Sequence, residues 1–243
     1  SQWGHDFRPS YLNILPLLSQ ISGQPAVLGL TATATERVRQ NLQQLLGVAD
    51  EDTVLTGFAR DNLALKIAHQ VDKRQYVQDY LRANQGKSGI IYAATRKQVD
   101  ELYTSLNKQG MKVGRYHAGL PEKERQAMQE AFLYDEVEVM IATNAFGMGI
   151  NKPDVRFVIH YAVPGNIEAY YQEIGRAGRD GLPSEALLRY APQDIHLQEF
   201  FVQKSEGTEA YKQNEYNKIR EMNAFANTGT CLPRYLLAYF GEV

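Results

Sequence analysis

Six short apolar runs, each bounded by polar residues and interspersed with segments of helical periodicity, constrain this chain more than any other feature. They are "PAVLGL" (25–30), "SGIIYAA" (88–94), "KVGRYH" (112–117), "VEVMIAT" (137–143), "VRFVIHY" (155–161) and "EALLRYA" (185–191). A strand that is apolar almost throughout has no face to give to water, so both of its faces must be covered. Strands alternating with helices supply that cover as a parallel sheet. In "TRKQVDELYTSLNKQG", Val99, Leu102, Tyr103 and Leu106 recur at helical spacing, and in "PEKERQAMQEAFLYD" Pro121 suits a first helical position. The expected fold class is therefore α/β, a parallel β-sheet flanked by helices on both faces. In such sheets the binding groups gather in loops beyond the carboxyl ends of the strands. "TATAT", "AATRK", "YHAGL", "ATNAFGMGIN" and the turn "GRAGRDG" are then the candidate functional loops.

Two boundaries are expected. "TGFARDNL" (56–63) has turn residues and little periodicity, so it reads as a link between a short first segment and the main domain. Beyond about residue 205 the pattern turns helical and polar, too short for a core of its own. Residues 1–56 offer one strand at "PAVLGL" and a second candidate at "DTVLTG", too little for a complete sheet domain, so both ends read as cut. The 243 residues are 44% apolar, which suits a real core, and no uninterrupted apolar run approaches the roughly 18 residues of a membrane helix. No secretory leader is apparent, and the single cysteine, Cys231, forbids an internal disulfide. The expected location is the cytoplasm or nucleoid. A net charge of −2 does not advertise a nucleic-acid binder, although a local groove can be basic on a near-neutral protein.

"GKS" (86–88) imitates a phosphate loop and fails on inspection. The full pattern needs glycine where Leu81 stands, and it needs a strand before the loop and a helix after it. Here the order is reversed, which leaves Lys87 as a solvated lysine entering a strand. No other glycine-rich loop ends in lysine and a hydroxyl, and no acidic box follows a strand to hold magnesium. The nucleotide-binding half of an ATPase is not expected within these residues.

"QEIGRAGRDG" (172–181) sets Arg176 and Arg179 between glycines after a helical segment, with Gln172 one turn earlier. A guanidinium fork suits phosphate oxygens, and an arginine reaching a γ-phosphate stabilises transition-state charge. Both could equally cap a helix C-terminus. In "ATNAFGMGINKPDVRFVIHY", glycines such as Gly149 permit close backbone approach to a phosphate or sugar, and Asn151 can hydrogen-bond a hydroxyl. An ordinary tight connection is the alternative.

Taken in order, "SQWGHDFRP", "LTATAT", "GIIYAATRK", "YHAGL", "IATNAFGMGINKPDVRFVIHY" and "QEIGRAGRDG" resemble the C-terminal part of a RecQ-family DNA helicase core. These are superfamily-two enzymes with two RecA-like domains. The resemblance implies residues 1–60 as the tail of the first RecA-like domain, 61–205 as the second, and 206–243 as the start of a zinc-binding helical domain. It implies Arg179 as an arginine finger reaching ATP on the first domain, with Arg176 beside it and Gln172, Gly149 and Asn151 on the nucleotide side. Trp3, Phe7 and Arg8 would belong to a loop that senses single-stranded DNA, by stacking and phosphate contact; core burial is the alternative for the two aromatics. Thr31 and Thr33 resemble the motif coupling hydrolysis to DNA movement, while helix capping accounts for Thr35.

Arg96, His117 and Thr143 would track the DNA backbone without reading sequence; a satisfied structural histidine is the alternative for His117. Cys231 resembles the first of four zinc ligands, the other three expected beyond Val243, so within these residues a small buried hydrophobe is the expectation. ATP, Mg2+ and Zn2+ are thus implied for the parent protein, with none complete here. Single-stranded and partly duplex DNA is the implied substrate of 3′-to-5′ unwinding, other DNA-repair proteins are implied partners, and no membrane is. The other readings are a DEAD-box-like RNA helicase domain and a catalytically inactive single-stranded-DNA-binding module.

Overall fold

The computed structural model of the protein describes residues 13–23, 25–31, 35–147 and 150–242. They fall into two units, Ser1–Ala59 with Pro233–Val243, and Arg60–Leu232. The larger unit carries β1 (Leu63–His69), α3 (Lys73–Ala83), β2 (Gly89–Tyr92), α4 (Arg96–Asn107), β3 (Val113–Tyr116), α5 (Glu122–Leu133), β4 (Val139–Ala142), β5 (Phe157–His160), α6 (Ile167–Ile174), β6 (Ser184–Tyr190), α7 (Pro192–Lys204) and α8 (Glu209–Ala226). The six strands form one sheet in the order β1-β6-β5-β2-β4-β3, and every pairing is parallel.

Each parallel pair needs a crossover. Helices supply all but the one from β4 to β5, which is the irregular loop 143–156 that holds the glycine motif.

Side chains alternate between the two faces. On one face Ile91, Val139, Ile141, Phe157 and Ile159 pack with Val77 and Leu81 of α3 and with Val99, Leu102 and Leu106 of α4. Ile91, Ile141 and Ile159 are fully buried, each worth about 1.5–3 kcal/mol against exposure. The opposite parity puts Tyr92 and His160 together as register partners, with His160 against Tyr170 of α6. Gly89 begins β2 opposite Phe157, whose ring lies 2.1 Å from where a Cβ would stand. Only glycine admits that ring.

Local signals set the helix starts. Asp72, Thr95, Asn166 and Thr208 each accept from the amide three residues on. At α4 Gln98 also reaches back to the Ala94 amide at 3.0 Å, a near relative of the capping box. Pro121, expected as the first helical residue, is instead the cap of α5, whose first helical residue is Glu122.

Two sequence expectations change. β1 is not among the six expected strands: it begins at the last residue of the expected linker, and its side chains alternate in exposure from Leu63 to Ile67. It is an edge strand paired only with β6, and Ala64, Lys66 and His69 are exposed. Conversely, "PAVLGL" and the "DTVLTG" region form no strand among the described residues. Leu28, Leu30 and Val54 are 82%, 85% and 85% exposed. A strand exists only through a partner's ladder, and apolar composition alone does not create one.

The smaller unit holds α1 (Ile14–Leu18), α2 (Glu36–Leu46), a 3-10 turn at Asp50–Asp52 and most of α9 (Leu232–Tyr239). Thr35 caps α2 by accepting from the Val38 amide at 3.4 Å, as its position before the helix leads one to expect. Phe58 stacks on Phe240 with centroids 4.5 Å apart, and its amide donates to the Glu242 carboxylate at 2.9 Å. "GKS" behaves as a decoy: α3 precedes it, β2 follows, and exposed Lys87 donates to Asn84 Oδ1 at 2.8 Å. Among the described residues no helix is long and apolar enough to cross a membrane.

Candidate functional site

Helix α6 starts at the Asn166 cap, whose Oδ1 accepts from the Ala169 amide at 2.7 Å, and ends at Gly175. The chain then turns through Arg176 to Gly181. Gly178 has φ +62° and its amide donates to Val155 O at 2.8 Å; Gly181 has φ +81° and donates to Gly178 O at 3.1 Å. Asp180 is held by both terminal oxygens on Arg156 at 2.6 Å. That Arg156 contact holds the Asp180 carboxyl below the ordinary range.

The two motif arginines leave this turn toward the β4–β5 loop. Arg176 donates to Gly147 O, while its buried Nε has no partner among the described residues. Gly147 has φ +114°, and a Cβ there would sit 2.3 Å from the Arg176 Cζ. The glycine therefore makes the room the guanidinium occupies. Arg179 is exposed; its Nε donates to Gly175 O at 3.3 Å and its Nη1 to Ile150 O at 3.2 Å. A third cation, Arg60, donates through Nη2 to Ala177 O at 2.8 Å and Gly178 O at 3.2 Å. Partial burial, then the neighbouring Arg176 and Arg60, pull the Arg179 guanidinium below its usual pKa.

Among the described residues the arginines in ion pairs are Arg82, Arg115, Arg156 and Arg189, and none of the three at this turn. Arg60 spends its guanidinium on the turn carbonyls, while Arg176 and Arg179, with no carboxylate on either among the described residues, leave charge that an anion would complement. That chemistry fits phosphate oxygens.

Behind the turn, Glu173 of α6 is buried and meets His160 of β5, Oε2 to Nε2 at 2.6 Å. His160 stacks on Tyr92, whose hydroxyl donates to Phe146 O at 3.1 Å. Burial raises the Tyr92 phenol, and the nearby Arg176 opposes that shift. The ends of β2 and β5, the arginine turn and the glycine loop are thus tied together by side chains. Sequence reading did not single out Arg60, His160 or Glu173, and took Gly147 only as part of the glycine loop. Their partners are remote in sequence, and the local signal was confined to glycine at 147 and the histidine in an apolar run.

The second group of candidates lies along one sheet edge. Tyr92 pairs with Ala142, and Ala142 with Tyr116, so the loops carrying Arg96, Thr143 and His117 start side by side. The Thr143 amide donates to Tyr116 O at 3.2 Å. Arg96 is exposed at the start of α4, and its Cδ lies 3.2 Å from the Cβ position of Gly119. His117 is buried with both ring nitrogens engaged: Nδ1 accepts from the Gly119 amide and Nε2 meets Asp100, each at 3.2 Å. Asp100 also accepts from Arg115 at 2.7 Å. His117 therefore holds its loop, and Arg96 presents the outward cation there.

Gln172 and Asn151 are exposed, as is Thr31 in the smaller unit. Trp3, Phe7, Arg8, Thr33 and Gly149 lie outside the described residues. Cys231 is exposed, which corrects the expectation of a small buried hydrophobe. Among the described residues there is no group of three or more His, Cys, Asp or Glu that could hold a metal ion.

The fold is that of a RecA-like helicase domain. Yeast (S. cerevisiae) Dbp5 bound to RNA and ADP BeF3 matches over 91% of this chain and 61% of its own, with TM-score 0.61 at 20% identity. The helicase conserved C-terminal domain family matches residues 72–181, and the RecQ zinc-binding family matches residues 192–243. The chain is 47% identical over 242 residues to "ATP-dependent DNA helicase RecQ" of Bacillus subtilis, covering 100% of this chain and 41% of that protein. It is 41% identical over 243 residues to the protein of the same name from Pasteurella multocida, covering 38% of it. Along its whole length the chain is similar to these RecQ helicases, and it spans about two fifths of their length.

Proposed function

We propose that this chain is part of a RecQ-type 3′-to-5′ DNA helicase, in which ATP hydrolysis drives DNA unwinding in repair and recombination. The observation that carries the reading is the uncompensated arginine set around the "GRAGRDG" turn. Arg179 acts as the arginine finger toward a nucleotide held on a phosphate loop elsewhere in the protein. Arg176, with one guanidinium edge spent on Gly147 O, steadies the same site, and Gln172, Gly149 and Asn151 face the nucleotide. ATP with Mg2+ supplies the γ-phosphate chemistry; the residues here supply positive charge and position. Cys231 contributes one thiolate to a zinc site completed by residues not in this chain.

The domain reading goes with this function. Residues up to about 60 finish a first RecA-like domain, those up to about 205 form the second, and the remaining helices begin the zinc-binding domain. Trp3, Phe7, Arg8, Thr31 and Thr33 couple DNA to hydrolysis from the first of these. Arg96 at the start of α4 and Thr143 after β4, beside the loop held by His117, grip the backbone from the second.

The test is DNA-stimulated ATP hydrolysis by the full-length protein that carries this chain. Arg179→Ala should lower turnover by about a thousandfold while single-stranded DNA binding persists. An unchanged rate would make the turn structural and leave a DNA-binding module as the better account. Stimulation by RNA instead of DNA would favour an RNA helicase, for which only the fold likeness to Dbp5 now speaks. The chain by itself should not hydrolyse ATP, and measurable turnover would overturn the split of the site between domains.

A further inference from the structure

Arg179 is exposed, and its own hydrogen bonds are long, 3.3 Å to Gly175 O and 3.2 Å to Ile150 O. Something other than its side chain must fix where it starts. The residue before it, Gly178, presents a carbonyl that accepts from the Asn62 Nδ2 at 2.8 Å and from Arg60 at 3.2 Å. Arg60 also takes Ala177 O at 2.8 Å and, more loosely, Gly175 O at 3.5 Å. Gly175 O is the same oxygen that receives Arg179 Nε, so two guanidinium groups converge on one carbonyl. Asn62 Nδ2 donates a second bond, to Leu182 O at 3.0 Å, and spans the turn from side to side. The carbonyls of Gly175, Ala177 and Gly178, beyond the end of α6, are thus collected by two side chains more than a hundred residues earlier in the chain.

The clamp is anchored in the sheet. Asn62 O accepts from the Ser184 amide at 2.8 Å, and the next residue, Leu63, pairs in register with Ser184 as β1 and β6 begin. The glycine in the motif answers to it as well. A Cβ at Gly178 would stand 2.5 Å from Asn62 Nδ2 and 2.8 Å from Ser184 Oγ. Glycine at 178 is needed for its φ of +62° and also to admit the amide that holds the turn.

We propose that Arg60 and Asn62 are positioning residues for Arg179, clamping the arginine turn to the start of β1 so that its guanidinium is presented in one place. The proposal rests on the reading of Arg179 as the residue that meets the nucleotide. Misplacing such a group by about 1 Å costs on the order of a hundredfold in rate, so loss of the clamp acts on turnover and not on ground-state binding.

The experiment uses the full-length protein with saturating single-stranded DNA. It compares Arg60→Met, Asn62→Ala, Arg179→Ala and the double variant Arg60→Met/Arg179→Ala. Hydrogen–deuterium exchange over residues 174–182 should quicken in Arg60→Met and Asn62→Ala. Their kcat should fall by about tenfold to a hundredfold, with KM for ATP little changed. The double variant should be no slower than Arg179→Ala alone, because a residue acting only through Arg179 has nothing left to position.

Unchanged exchange would overturn the clamp. A double variant slower by the full Arg60→Met factor would show an independent or merely structural effect, and the positioning role would fall. If Arg179→Ala hydrolyses ATP at the wild-type rate, the arginine-finger reading fails and takes the positioning role with it. If Arg179→Ala is inactive while Arg60→Met, with a loosened turn, is fully active, only the positioning role fails. Should Arg60→Met not fold, Asn62→Ala carries the same comparisons, since the side chain of Arg60 is then untouched.

Discussion

At the scale of single residues, glycines decide how close the charged groups of this site can come to the backbone. Gly147 is the clearest case: φ is +114°, and a Cβ would overlap the Arg176 guanidinium at 2.3 Å. Gly147→Ala should therefore lower unfolding free energy by about 1–3 kcal/mol from backbone strain alone, and displace Arg176. Urea unfolding together with ATP hydrolysis by the full-length protein checks both. Full stability would mean that the loop adjusts without strain. The motif glycine was visible in the sequence, but the requirement was not, because Arg176 is 29 residues away and only folding brings it to Gly147 O. His117 illustrates the reverse: its sequence neighbourhood left a DNA contact and a structural role equally open, and the bonds to Gly119 and Asp100 occupy both nitrogens.

At the scale of elements, the central strands were the most legible part. β2, β4 and β5 are buried throughout, and apart from His160 their sequences are apolar, so composition and burial coincide. β1 escaped because Lys66 interrupts its apolar residues and only Leu63 among them is buried. It is tied to its neighbours by Glu185 of β6, which accepts from Lys66 at 2.5 Å and from the Tyr80 hydroxyl at 2.8 Å. The Lys66 contact holds the Glu185 carboxyl below the ordinary glutamate range, against partial burial.

A depressed carboxyl pKa contributes stability that is present above the unfolded value, about 4, and lost as pH falls through the folded one. The wild type should thus lose stability relative to Glu185→Gln as pH drops below about 4. Because the pair is partly exposed, the difference should be no more than about 1 kcal/mol. Thermal melts of both proteins from neutral pH into acid would show it; parallel curves would mean that the ion pair adds nothing.

At the scale of the molecule, a net charge of −2 conceals a local excess of cations at the arginine turn and Arg96 on a separate loop. If these loops meet nucleic acid through its backbone, affinity should fall steeply as salt rises and should vary little with base sequence. Titration of the full-length protein with single-stranded DNA at several salt concentrations measures this, and the slope should shrink when Arg96→Ala removes one phosphate contact. A slope unchanged by that substitution would place the DNA elsewhere.

By itself the sequence determined the fold class and the ordered motifs that mark the family, because a parallel sheet writes its buried strands and its helix caps locally along the chain. It also disposed of "GKS", since the order of strand and helix is a local property. Only the tertiary structure decided that Arg60 and Asn62 clamp the turn, that Gly147 exists for Arg176, that β1 closes the sheet at one edge, and that "PAVLGL" forms no strand. Each of these depends on a partner that folding brings near from a distant part of the chain, or fails to provide. Periodicity and propensity describe a residue's neighbours in sequence, and hydrogen bonds, charge and steric room answer to its neighbours in space.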